Sequence, residues 1–161
     1  MARKRYAEGT IVGVARSRGQ IETLLRTFGA DRVQWTDEYE RERSSTIRFA
    51  WSYEGTALAV RIKIVCDPEK LKGDAIDGRT NRFSPTKYEK LMERWSSESH
   101  RLLLLFLKAQ FNAISAGLLQ AEEVFLPFFE DSTGKTVWEV MSPRIDELPC
   151  SSSFKLLTDG E

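Results

Sequence analysis

Basic side chains recur on one parity of two neighbouring segments in the middle of the chain. Arg48 belongs to the first segment, and Arg61 and Lys63 belong to the second. Large apolar residues occupy the other parity, so pairing the segments as strands would put the three cations on one face of a sheet. Arginine binds phosphate through two parallel hydrogen bonds, and lysine attracts it as a point charge. The spacing therefore predicts a basic sheet face that holds an anionic partner, either nucleic acid or a nucleotide, with salt-dependent affinity.

A long segment without hydrophobic periodicity, residues 66–84, would extend this face. Connections of this length inside a compact domain are uncommon and often carry function. Its four basic and four acidic residues cancel each other: Lys70, Lys72, Arg79 and Arg82 against Asp67, Glu69, Asp74 and Asp77. Basic residues on an open sheet face also serve simply to keep it soluble. The predicted anion-binding residues are Arg48, Arg61, Lys63, Arg79 and Arg82.

Catalytic patterns are weaker than the basic pattern. Residues 134–136, Gly-Lys-Thr, end like a phosphate-binding loop, but Phe129 stands where that motif needs its first glycine, so a β-turn is predicted. His100 is the single histidine and supports neither a catalytic triad nor a zinc site, so a helix-surface or buried, hydrogen-bonded imidazole is expected. Arg61 occupies the carboxylate position of a nuclease-type metal strand and would repel Mg²⁺. No catalytic residue, metal or cofactor is predicted, although a divergent enzyme site in residues 66–84 stays open.

The elements that would position these residues follow from the hydrophobic patterns. Residues 10–15 form a β-branched run that predicts a first strand. Apolar residues at i, i+3, i+4 and i+7 predict a helix over 17–28, capped by the serine at its start. Residues 33–36 predict a second strand, and the charged segment 37–45 predicts a loop or solvated strand ends. Strict alternation on both sides of a glycine turn predicts a half-buried hairpin over 46–64.

One helix dominates the C-terminal half of the prediction. Ser84 followed by Pro85 is a strong helix start, and the apolar stripe continues to residue 116. Residues 102–107 are apolar on every side, which predicts burial on both sides of the helix. A short helix over 118–125 and a small hairpin follow it.

A single domain accounts for all these elements. The predicted fold class is α+β: an antiparallel three- to four-stranded sheet packed on a long central helix, with a small C-terminal subregion. The domain spans residues 1–149, of which 1–9 form a basic arm, and residues 150–161 form a loose tail. At 161 residues, with 41% hydrophobic and 30% charged residues, the chain is long enough to build a real core.

The charge distribution and the cysteine content indicate the class of partner and the cellular compartment. Residues 1–110 hold 21 basic and 15 acidic residues, a net charge of +6, and residues 111–161 hold 3 and 9, a net charge of −6. This polarity suits a basic binding face beside an acidic segment, or two patches that neutralise each other. Two scattered cysteines make no disulfide framework, and neither a signal peptide nor a bilayer-length apolar run is present. These features predict a reduced, cytoplasmic protein without a membrane partner.

Several stretches resemble a group of small uncharacterised proteins from phages, prophages and other mobile elements. The matching stretches are residues 17–30, 46–64, 100–117, 123–126 and 134–143. The resemblance covers most of the chain, but its motifs are structural and carry no active site. It implies a mobile-element context, and with it nucleic-acid metabolism or counter-defence.

The resulting hypothesis is a non-enzymatic binding protein that holds nucleic acid or a nucleotide on the basic sheet face. The first alternative is a protein–protein interaction module, either a homo-oligomer or an inhibitor of a host protein, that docks through residues 102–107 or the acidic segment 122–131. The second alternative is the divergent enzyme with a site in residues 66–84.

Overall fold

A three-stranded sheet and five α-helices make up the part of the chain that the computed structural model describes, residues 12–39, 43–53 and 56–147. The strands are β1 Arg32–Glu38, β2 Ser44–Tyr53 and β3 Thr56–Val65. The helices are α1 Val14–Thr27, α2 Pro68–Asp74, α3 Pro85–Ser115, α4 Ala121–Phe125 and α5 Val137–Met141, with 3₁₀ helices at Leu126–Phe128 and Ser142–Glu147. The predicted basic arm 1–9 and tail 150–161 lie outside the described residues.

The strands pair antiparallel in the order β1-β2-β3. Phe49 of β2 lies opposite Val33 of β1 and Val60 of β3, and this row faces the helices. Because side chains alternate along a strand, the next row, Arg48 opposite Arg61, lies on the outer face. The α+β fold class and the half-buried hairpin are therefore confirmed.

The core fills the space between the inner face of the sheet and helices α1 and α3. The two helices run in the same direction, since Arg18 near the start of α1 contacts His100 at the middle of α3, and Phe28 just after α1 stacks on Phe111 near the end of α3, with ring centroids 4.3 Å apart. The buried apolar residues at the centre are Ile21, Leu25, Ile47, Phe49, Val60, Ile62, Leu103, Leu104, Leu107, Phe111 and Phe125. None of the helices in the described ranges is both long and apolar enough to cross a membrane.

Helix α3 begins where the sequence predicts. Ser84 Oγ accepts from the backbone N–H of Lys87, and the helix ends just before Gly117, whose φ is +69°. The predicted burial on every side is wrong at Leu102, which is 42% exposed. The C-terminal elements reach Phe106, whose ring contacts Phe128. They do not cover Leu102, one helical turn earlier in α3.

The predicted first strand is wrong at residues 14 and 15, which open α1. Gly13 is the extended residue before the helix, and the buried stripe of Ser17, Ile21 and Leu25 continues the same helical face. Ser17 is therefore an interior residue of α1 and not its cap. A β-branched run is a weak local signal, and helix packing overrides it.

The connection after β3 is ordered, against the prediction of a long irregular segment. Asp67 caps α2 and Pro68 occupies its first turn, the same combination that starts α3. Beyond α2, Ile76 pairs with Phe83 across a tight loop, and Asp77 accepts two backbone N–H bonds at the loop tip.

The C-terminal subregion closes the outer edge of β3. Phe129 forms a bridge with Val60, and the backbone N–H of Glu130 donates to Ala59 O at 2.9 Å. The predicted helix over 118–125 is shorter, and the predicted hairpin is reduced to one bridge around the turn at Gly134. An otherwise open sheet edge is thereby covered.

Candidate functional site

The predicted basic sheet face contains a close arginine pair. Arg48 and Arg61 are directly opposite each other, and Lys63 lies one outward row further along β3. The side chain of Arg48 is 46% exposed and that of Arg61 only 15%. Arg79 and Arg82 are exposed but belong to the separate loop beyond α2. The structure thus brings together part of the predicted set.

Two carboxylates of the C-terminal subregion bind this arginine pair. Glu130 Oε1 lies 3.1 Å from Arg48 Nη2 and 2.9 Å from Arg61 Nε. Glu139 forms an ion pair with Arg61 Nη2, which also donates to Gly134 O at 3.1 Å. The arginine pair is already neutralised within the chain, and it fastens the C-terminal subregion to the sheet.

Replacing Arg61 with glutamine should loosen the C-terminal subregion while the sheet stays folded. Both carboxylates would lose their shared partner, and we expect about 1.5 kcal/mol less free energy of local opening, since these pairs are partly solvated. Amide hydrogen exchange of Val137, whose N–H donates to Phe129 O at 2.9 Å, measures this loss. Arg48→Gln, at the more exposed position, is the matched control with a smaller effect. Equal loss of protection throughout β3 would contradict the prediction.

A second basic surface lies between α1 and α3, and the sequence patterns did not point to it. It is a groove of about 480 Å³ lined by Arg16, Gly19, Gln20, Thr23, Leu24, Thr27 and Lys108. Arg101 lies at the same seam, because its Nη1 donates to Gln20 Oε1 at 2.9 Å. We call this surface, with Arg101 included, the α1–α3 groove.

The cations of the α1–α3 groove have no carboxylate partner within the described ranges. Among the residues that the structure describes, no aspartate or glutamate lines the groove, and Arg16, Arg101 and Lys108 form no ion pair. Glu22, on the same helix as Arg16, lies toward the sheet and accepts from Trp35 Nε1 at 3.1 Å. The positive charge of the groove is therefore uncompensated by its lining.

Helical spacing explains why these side chains share one groove. Arg101 and Lys108 are seven residues apart, two turns on one side of α3. Arg16 and Thr27 mark the ends of the lining on α1, a length of about 16 Å at 1.5 Å per residue. This spacing is visible in the sequence, but only the packing of α1 beside α3 turns two separate stripes into one surface.

A buried polar network joins α1, the inner sheet face and α3. Arg18 binds the Asp37 carboxylate through both terminal nitrogens, with Nη1 3.0 Å from Oδ2. Its Nη2 also donates to Ser45 Oγ at 2.8 Å, and its Nε donates to His100 Nε2 at 3.1 Å. His100 Nδ1 lies 2.8 Å from Ser96 O. One guanidinium group of α1 thus holds side chains from three other elements, β1, β2 and α3.

The hydrogen bonds identify His100 as a neutral imidazole. Nδ1 faces a carbonyl oxygen, which can only accept, so Nδ1 carries the proton and Nε2 accepts from Arg18. Burial lowers the pKa of His100, and the nearby charge of Arg18 lowers it further. Since the Nε2 lone pair is occupied, the imidazole does not activate Ser45, whose Oγ is 3.3 Å away. The geometry makes this network a structural support.

A cavity of about 400 Å³ between α2 and α3 is the place to look for the divergent enzyme site. Asp67, Asp74 and Glu98 line it together with Arg94. Asp67 caps α2, and Glu98 accepts from Arg94 Nε at 2.7 Å. In the described part of the chain, no three histidine, cysteine or acidic side chains are placed to hold a metal ion. Lys70 also lines this cavity, so a divergent enzyme site there stays a prediction.

Comparison with known proteins gives no information on function, so the functional evidence is the geometry of the sites described above. The chain matches no family model, no curated protein and no solved structure. The mobile-element context stays a prediction from the motifs.

Proposed function

We propose that this protein is a non-enzymatic binding protein that holds an anionic partner, the phosphate backbone of a nucleic acid, in the α1–α3 groove. The observation that carries the proposal is the set of three cations, Arg16, Arg101 and Lys108, around a groove in which no described lining residue is acidic. The partner class is the one predicted from the sequence, and the site moves from the sheet to the helices. The reason is that Arg48 and Arg61 are neutralised by the chain's own carboxylates.

The shape of the groove favours a polymer over a mononucleotide. None of its described lining residues is aromatic, so they offer no stacking surface for a base. Its length of about 16 Å admits two or three successive phosphates of an extended strand. Contacts to the backbone alone fix position and carry no sequence information. The proposed binding is therefore sequence-independent and sensitive to salt.

Reversing the charge of the groove should weaken nucleic-acid binding about tenfold. We expect wild-type affinity to fall as salt rises, with a logarithmic slope of about −2 for single strands, as three phosphate contacts predict. The double substitution Arg16→Glu with Lys108→Glu removes two of those contacts and makes the groove acidic. Fluorescence anisotropy with labelled single- and double-stranded oligonucleotides between 50 and 300 mM salt, roughly the range in which such contacts respond, measures both quantities.

Two further double variants of equal charge change locate the site. Arg79→Glu with Arg82→Glu tests the loop residues of the sequence prediction, and Lys90→Glu with Lys135→Glu serves as the matched control. The groove variant should weaken binding more than either. A larger loss in the loop variant would move the site to that loop. Equal losses in all three would indicate only a response to net charge, and wild-type protein that binds no oligonucleotide at low salt would remove the proposal.

We also propose a biological setting for this binding. A small binding protein that takes nucleic acid without regard to sequence fits the nucleic-acid metabolism or counter-defence that the resemblance to mobile-element proteins implies. In this proposal it acts by occupying its partner, and no cluster in the described residues is placed to hold a metal ion.

A further inference from the structure

The C-terminal helices expose a group of large apolar side chains. We call the group the C-terminal apolar surface and define it as Leu126, Trp138, Val140, Met141 and Ile145. Their exposed fractions run from 41% at Met141 to 54% at Trp138. Trp138, Met141 and Ile145 follow at helical spacing along α5 and the 3₁₀ helix after it, and α5 packs against the 3₁₀ helix that contains Leu126.

The helix that carries most of this surface is fixed to the sheet, so its exposed side chains keep their positions. Thr136 and Glu139 form a capping box at the start of α5, and Arg61 binds the same glutamate from the sheet. Phe125 is fully buried just before Leu126, and Phe129 is bridged to β3. The exposed side chains therefore stand on a fixed base, as binding sites require.

The size of the surface matches what a stable interface needs. With about 200 Å² for a large side chain, these exposed fractions leave roughly 450 Å² of apolar area. The largest apolar patch of a typical monomer is about 300–600 Å² and is often functional. A standard interface buries about 800 Å² per partner, of which about 57% is apolar. The summed exposed area of these five side chains is close to that apolar share.

Local charge favours a second copy of the chain as the occupant. Charges of both signs lie around the surface, with Lys135 and Arg144 exposed and Glu139 already bound by Arg61. Two copies related by a twofold axis would place like surfaces together, which large uncompensated charge would oppose. A tryptophan with methionine and isoleucine beside it is the composition that protein interfaces favour.

We infer that the C-terminal apolar surface is a self-association surface that binds the same surface of a second copy of this chain in a closed dimer. It is separate from the α1–α3 groove, so the dimer and the nucleic-acid proposal stand or fall independently.

Sedimentation equilibrium of the full chain from 1 to 300 μM, roughly the range of weak to moderate interfaces, tests the inference. Wild-type protein should fit a monomer–dimer equilibrium. Met141→Asp should weaken the dimer at least tenfold, because it puts a charge into the centre of the contact. Leu118→Asp is the matched control, since Leu118 is 75% exposed, apolar and outside the surface, and it should leave the equilibrium unchanged.

Each outcome decides the inference. A wild-type protein that stays monomeric over the whole range, or that forms open-ended higher oligomers, overturns it. Equal weakening by Met141→Asp and Leu118→Asp also overturns it, because it would reflect solubility and not a specific surface. Ile145→Asp repeats the test if Met141→Asp does not fold, and circular dichroism checks both. Oligonucleotide affinity measured on the same variants separates this result from the groove proposal.

Discussion

Replacing Arg18 with alanine should lower the free energy of unfolding by about 3 kcal/mol. The guanidinium group binds Asp37, Ser45 and His100 at once, and its side chain is 22% exposed. Removing one member of a buried charge pair leaves its partner without compensation, which is worth about 3–5 kcal/mol when burial is complete. Because Arg18 and Asp37 are both partly exposed, we expect a loss at the lower end of this energy range. The cation–π contact with Trp35, 4.5 Å from the ring centroid, is lost as well.

Urea unfolding of wild type and Arg18→Ala at pH 7 measures this difference. Arg26→Ala on the exposed side of the same helix is the matched control and should change stability by less than about 0.5 kcal/mol. A double-mutant cycle with Asp37→Ala separates the charge pair from the other contacts, because the second substitution should recover part of the loss. Similar losses for Arg18→Ala and Arg26→Ala would show that the network contributes little.

The sequence predicted which hairpin residues share a face of the sheet, because alternate residues of each strand are either all apolar or mostly polar. Phe49 and Val60 are apolar and Arg48 and Arg61 are basic, so a slip by one residue would bury charges and expose the core. The α3 helix was equally accessible, since Ser84 and the proline after it mark its start. These features depend only on neighbours in the sequence.

The partners of the arginine pair could not be predicted in the same way. Glu130 and Glu139 follow Arg61 by some seventy residues, and no local pattern brings an acidic turn back over the outer sheet face. The net charge of −6 in the C-terminal third was the one available signal, and it fits neutralisation within the fold. The same lack of long-range information hid the α1–α3 groove.

The polar network was hidden by its own composition. Asp37 and Ser45 lie in a charged stretch that predicts a loop or solvated strand ends, yet they are opposite each other on the inner sheet face. Asp37 is the next residue on the same face of β1 as Val33 and Trp35. In the sequence, a carboxylate at this position indicates the end of the strand, because its partner cation is not apparent. Arg18 of α1 is that cation. A polar group inside a core becomes acceptable only once its partner is known.

Stability should fall as the pH drops below about 6.5, because the unfolded chain protonates His100 more readily than the folded protein does. Burial holds the pKa of His100 below its usual 6.5 in the folded protein, while the unfolded chain takes up a proton near that value. The unfolded state therefore binds more protons through this window, and the slope reaches about 1.4 kcal/mol per pH unit. It levels off below the folded pKa. His100 is the single histidine, so no other imidazole contributes.

Burial fixes the sign of this effect, and charged groups of both signs surround His100. Arg18 from α1 opposes a second positive charge, and Asp37 from β1 favours it, while Glu38, Arg43 and Glu93 line the adjoining cavity of about 350 Å³. The bond from Arg18 lowers the pKa of Asp37, so its stabilisation is present above its usual 3.8 and is lost only below that value.

His100→Gln separates the imidazole from these carboxylates. Glutamine keeps an acceptor for Arg18 and does not titrate, so its stability should be nearly constant between pH 5 and 7, roughly the window in which only an imidazole responds. Urea unfolding at half-unit steps gives both curves, and the single imidazole resonance of the wild type reports the folded pKa directly. An equal slope in the glutamine variant would assign the pH dependence to carboxylates. An imidazole pKa above 6.5 would mean that Nε2 does not accept from Arg18 and that the network is arranged differently.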